Sequence, residues 1–115
     1  MKILSPKIHS VLDYAVVLVF LAAPTLLGMT GVAALLSYAL AAVHLTLTLL
    51  TDFPMGALRV IPLTVHGLIE LVVGPLLIAA PWILGFTAHA RIFYVAAGAT
   101  IFVTWCATDY RANSR

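Results

Sequence analysis

His9 and Asp13 stand four residues apart, and so do His66 and Glu70. On a helix that spacing puts each pair on one face, with the acid ~6 Å further along the axis at 1.5 Å rise per residue. An imidazole beside a carboxylate can hold a metal ion, relay a proton, or lock two helices by a hydrogen bond. The two pairs share an offset of 57 residues (9 to 66, 13 to 70). Thr51-Asp52-Phe53 recurs at the same offset as Thr108-Asp109-Tyr110, and Ala22-Ala23-Pro24-Thr25-Leu26-Leu27-Gly28 as Ala79-Ala80-Pro81-Trp82-Ile83-Leu84-Gly85. All four carboxylates and two of the four histidines therefore occupy equivalent places.

The elements that must position them are spanning helices. Of the 115 residues 63% are hydrophobic and only 9% charged, against the roughly one quarter charged in soluble domains. A span needs ~20 mostly apolar residues. Four stretches qualify: about Ile8–Leu27, Val32–Leu50, Pro62–Leu84 and Ile92–Ala107. The remainder is too short for a soluble domain or a phosphate-binding loop. The fold class expected is all-α: a four-helix transmembrane bundle made by tandem duplication of a helical hairpin. Its units are residues 1–57 and 58–115. Two spans per unit make the repeats parallel, whereas the inverted repeats of many transporters require an odd number.

Lys2, Lys7, Arg59, Arg111 and Arg115 fall at the N-terminus, the central loop and the C-terminus, and Arg91 alone on the other side. The positive-inside rule then places both termini in the cytoplasm. The net charge of +2 is scattered and forms no basic stripe of the kind nucleic acid requires. The run after Met1-Lys2 is long for a signal-peptide core, and its repeat partner lies mid-chain, so it is expected to remain as a span. Cys106 is the single cysteine, which excludes an internal disulfide.

Local signals fill in the bundle. Ser5-Pro6 reads as an N-cap followed by proline at the first helical position, and Pro62 as the same device in helix three. Pro24 and Pro81 should kink helices one and three near their outer ends, and Gly74-Pro75 should kink helix three again. Ala33, Ser37 and Ala41 give helix two a small-residue face, for packing inside the bundle or for a homodimer. His89 is expected in the outer loop. Tyr14, Tyr38, Tyr94, Tyr110, Trp82 and Trp105 read as interface anchors or core.

Hairpin neighbours should bring His9, Asp13 and Asp52 together at the cytoplasmic boundary, and His66, Glu70 and Asp109 likewise, giving two pseudo-symmetric clusters. Partly buried acids need partners, and Asp52 and Asp109 sit at helix C-termini, where the helix dipole disfavours negative charge. Nitrogen with carboxylate oxygen suits zinc, iron or manganese. Neutral imidazoles at His9, His66 and His44 raise the alternative of haem or another tetrapyrrole. Asp52, Thr48 and His44 line one face of helix two, where helix four has Asp109, Trp105 and Ile101, so a proton path would run through the first hairpin.

Ala80-Pro81-Trp82-Ile83-Leu84-Gly85-Phe86, late in the first helix of its unit, resembles the motif of the SPW-repeat membrane proteins. Alanine replaces the family's serine at Ala80, and the first copy, Ala23-Pro24-Thr25, lacks the tryptophan. The resemblance implies a small multi-pass protein of the bacterial inner membrane built from two-helix repeats, and carries over no catalytic residues. The function expected is non-enzymatic: an accessory or structural subunit in the bilayer, packing against itself or a larger complex, with His/carboxylate clusters locking its cytoplasmic end. The alternatives are a metal- or haem-binding membrane protein and a proton-coupled transporter or channel. Enzymatic chemistry is least expected, because the chain has little loop from which to shape a pocket.

Overall fold

The computed structural model describes residues 2–110. Arg111 and Arg115, two of the basic residues used to orient the chain, lie outside the described residues. Four helices form, α1 (Pro6–Leu26), α2 (Gly31–Leu50), α3 (Leu63–Leu84) and α4 (Ala88–Ala107). Each is long and apolar enough to cross a membrane, and no strand is found among the described residues, only the isolated bridges Leu4–Thr108 and Thr51–Ile61.

Helix ends follow the local chemistry. The Ser5 hydroxyl accepts from Ile8 N at 3.3 Å, with Pro6 opening the helix. Pro62 is itself the N-cap residue, so it stands where Ser5 stands and not where Pro6 does. Pro24 and Pro81 lie inside the last turns of α1 and α3. Their carbonyls accept from Met29 N at 2.9 Å and Phe86 N at 2.8 Å, which closes both turns alike. α4 begins earlier than the hydropathy suggested, so His89 and Arg91 belong to its first turn. The polar side chains of that turn had masked the helix. Arg91 lies over the exposed Trp82 ring, 5.4 Å from its centroid.

The helices pack pairwise, α1 on α2 and α3 on α4. Small residues let them approach. The face of Ala33, Ser37 and Ala41 is buried within the bundle, and the Ser37 hydroxyl donates to Phe20 O at 2.7 Å. In the second hairpin Gly74 meets Gly98. A Cβ at Gly98 would stand 2.5 Å from Gly74 O and 2.8 Å from Ile78 N. Gly98→Val is expected to force the pair apart and cost about 1–3 kcal/mol, as overpacking does. A denaturation midpoint in mild detergent measures it, and an unchanged midpoint counts against the tight crossing.

Between the hairpins the backbones pair at Leu4, which donates to Ala107 O at 2.8 Å, and side chains make further contacts. Tyr94, fully buried, donates to Ala33 O at 2.6 Å, and Phe20 meets Phe93 edge to face at 5.8 Å between centroids. Outward, Leu18, Leu35, Val43, Leu68, Ile83, Ile92 and Val103 present an apolar surface, as lipid contact requires. Leu4, Thr51, Ile61, His66 and Thr108 gather at one end of the bundle. There the loop after α2 folds back, Asp52 N donating to Ile61 O at 2.8 Å, Ala57 N to Leu49 O at 2.7 Å and Arg59 Nη2 to Pro54 O at 2.9 Å. A Cβ at Gly56 would overlap the Thr51 carbonyl, so this loop requires glycine there.

Candidate metal centre

α1 and α3 turn their His-x-x-x-acid faces toward each other, and the four side chains close into a single ring. His9 Nε2 lies 2.9 Å from Glu70 Oε1 and 3.3 Å from Asp13 Oδ2. His66 Nε2 lies 2.9 Å from Asp13 Oδ2 and 3.4 Å from Glu70 Oε1. Nitrogen and oxygen alternate around the ring, and the shorter contacts are the ones that cross between hairpins. One ligand atom from each of the four residues falls within 4.8 Å of all the others. The side chains are almost completely buried.

Two threonines set the imidazoles. His9 Nδ1 is 2.7 Å from Thr108 Oγ1, and His66 Nδ1 is 2.7 Å from Thr51 Oγ1. Each hydroxyl has one proton, and it goes to a helix carbonyl: Thr108 donates to Thr104 O and Thr51 to Leu47 O, both at 2.6 Å. Each threonine oxygen must therefore accept from an Nδ1–H. The hydrogen-bond network thereby places a proton on each Nδ1 and turns each Nε2 into the ring, as a lone pair when the imidazole is neutral and as an N–H when it is protonated. There it faces carboxylate oxygens, which only accept when ionised. His9 Nε2, His66 Nε2 and Asp13 Oδ2 are buried without an aligned hydrogen bond. Two ionised carboxylates in a dry interior require positive charge beside them, carried either by protonated imidazoles or by an ion held between the four ligand atoms.

The spacing fits such a centre. With bonds of ~2.0–2.1 Å, neighbouring ligands around an ion lie about 2.9 Å apart in a square and about 3.3 Å apart in a tetrahedron. The four observed edges, 2.9 to 3.4 Å, span that interval. The donor set of two imidazoles and two carboxylates suits zinc, iron or manganese, and a hydrogen-bonded Nδ1 behind each ligating nitrogen is the usual support of a metal-bound histidine.

Aromatic rings wall the loop side. Phe53, fully buried, lies 5.4 Å from the His66 ring and 6.2 Å from His9. Its counterpart at the offset of 57, Tyr110, lies 5.9 Å from His9 and donates to Glu70 Oε1 at 3.3 Å. Burial, reinforced by the nearby Glu70 charge, pushes the Tyr110 phenol above its ordinary value, so it stays a donor. Gly67 leaves room for that ring: a Cβ there would come within 2.9 Å of the Tyr110 ring carbons. Tyr110→Phe is expected to weaken metal binding by roughly ten- to a hundredfold, the range for a lost outer-shell partner. A competition titration against a chromophoric chelator reads this, and an equal affinity rejects the role.

The two clusters expected at the hairpin bases are thus one, nearer the axis of the bundle. Asp52 and Asp109 lie outside the four-residue group, half-buried where α2 and α4 end, and Asp109 N donates to Leu4 O at 2.9 Å. His44 joins the group at its edge, its Nε2 3.5 Å from Asp13 Oδ1. Thr48, one turn further along α2, is buried, and its hydroxyl donates to His44 O at 2.7 Å. A porphyrin finds no plane here: carboxylate oxygens of Asp13 and Glu70 stand beside both nitrogens, in the region that a macrocycle between the two imidazoles would occupy. Sequence reasoning missed Thr51 and Thr108 as imidazole partners. The signal was their place in the repeated Thr-Asp-aromatic motif, in which the acid drew the attention.

The chain matches no protein-family model, no curated protein and no solved structure.

Proposed function

We propose that this chain is a membrane-embedded metal-binding protein whose centre is His9, Asp13, His66 and Glu70. The observation that carries the reading is the convergence of two buried Nε2 atoms without aligned hydrogen bonds and two carboxylate oxygens, with both imidazole tautomers fixed from behind by threonine. Two carboxylates would neutralise a divalent cation, which offsets the cost of holding charge inside a bilayer. The repeated sequence supports a tandem duplication in which each parallel hairpin contributes one imidazole and one carboxylate around a pseudo-two-fold axis. With the basic residues on the same end, the centre would lie in the cytoplasmic half of a bacterial inner membrane, both termini inside. The resemblance to SPW-repeat proteins rests on the Pro81-Trp82 motif and agrees with that placement.

Elemental analysis of protein purified in mild detergent tests the reading. About one equivalent of zinc, iron or manganese is expected, falling below a tenth of that in a His9→Ala, His66→Ala double variant. Protein that is metal-free and takes up none of zinc(II), iron(II) or manganese(II) by calorimetry would sink it. The second reading, a structural lock within an accessory subunit, is favoured by one observation: with Thr51 and Thr108 the cluster ties all four helices together. It expects the same double variant to lose stability from a metal-free starting point.

A further inference from the structure

A cavity of about 50 Å³ reaches the ring at one member, Glu70. Its walls are apolar, with Val43, Leu47, Val73 and Leu77 among them, and its polar edge is His44 and Glu70. The position equivalent to His44 at the offset of 57 is Ile101, which lines the same cavity, so the imidazole serves it from the first hairpin alone. His44 Nε2 is buried without an aligned hydrogen bond, its nearest acceptor being Asp13 Oδ1 at 3.5 Å. Val43, on the same wall, is 65% exposed on the face that would meet lipid.

These features select a ligand. A water takes about 10–15 Å³ on the same measure, so the space holds about three to five water-sized atoms, enough for a diatomic molecule. Apolar walls disfavour ions and leave water few partners, and the Glu70 carboxylate repels anions. What remains is small, neutral and apolar, able to accept one hydrogen bond and to dissolve in the bilayer from which the cavity is reached. We propose that the cavity admits a small neutral molecule of the dioxygen class to the ion held by the ring, with His44 as its hydrogen-bond donor. The proposal rests on the metal reading above. It requires an ion with a coordination position turned toward His44, and the donor set suits iron(II).

Full-length protein in detergent, loaded with iron(II) without oxygen, is titrated with nitric oxide as the probe and followed by visible absorption and electron paramagnetic resonance. One nitrosyl adduct per iron is expected. Val73→Phe fills the cavity and Val43→Trp covers its lipid edge. Each should keep its iron and slow nitric oxide association by roughly tenfold or more. His44→Leu should keep the iron and release nitric oxide faster. Iron-loaded protein that forms no adduct overturns the proposal, as does an adduct formed at the wild-type rate in both cavity variants. Val43→Trp, on the lipid-facing surface, keeps the test decisive if Val73→Phe does not fold. Failure of the wild type to bind iron at all is a different result and removes the metal reading, and the proposal with it.

Discussion

Asp13→Asn is expected to strip the protein of its metal and to lower its stability by about 3–5 kcal/mol, the range found when one partner of a buried ion pair is removed. The reason is position. Asp13 Oδ2 lies between both ring imidazoles, and Oδ1 faces His44. Asparagine keeps the shape but removes the charge, so Glu70 is left as the one carboxylate of the ring to balance an ion, and the asparagine amide would offer that ion a donor. Metal content per chain and an unfolding titration in mixed detergent micelles give the two readouts. Lowering the pH of the wild-type protein should act in the same direction, because imidazole and carboxylate must both be deprotonated to hold an ion. If Asp13→Asn leaves metal content and unfolding midpoint at wild-type levels, the ring is neither a metal centre nor a lock.

The double variant Thr51→Val, Thr108→Val should come next in size. Valine matches threonine in shape but offers no oxygen. Each change leaves an Nδ1–H without its acceptor and frees the imidazole to turn or to move its proton to Nε2, where it would block a ligand. Loss of an outer-shell partner costs roughly ten- to a hundredfold in metal affinity, so two such losses should give about a hundredfold or more if they act independently. The buried donor left behind costs about 1–3 kcal/mol at each site. Nitrogen NMR of labelled imidazoles, which reports which ring nitrogen is protonated, separates this from a loss of packing. An unchanged tautomer with unchanged affinity would remove the threonines from the account.

Much of this was legible in the chain. The apolar runs located four helices, with α4 starting earlier than hydropathy alone showed. The offset of 57 marked His9, Asp13, His66 and Glu70, and with them Asp52 and Asp109. What the pattern could not supply was the rotation of each helix about its axis. Four-residue spacing says that His9 and Asp13 share a face; it does not say which neighbour that face meets. Chain order favoured α2, which led to Asp52 and Asp109 as partners. The packed bundle turns the faces of α1 and α3 toward each other, and the carboxylates at the ends of α2 and α4 fall outside the four-residue group. The threonines stayed hidden for a related reason. A hydroxyl that both donates to its own helix and accepts from a neighbouring ring is recognisable only when the neighbour is in place.

The reciprocal grip of the two halves has one more consequence. His9 is steadied by Thr108 and His66 by Thr51, so each hairpin orients the other's imidazole as well as completing its ring. Neither hairpin by itself owns a finished ligand set. A chain severed between Pro54 and Val60 and expressed as two polypeptides would acquire its ion only where the fragments find each other, which makes occupancy a gauge of their reunion.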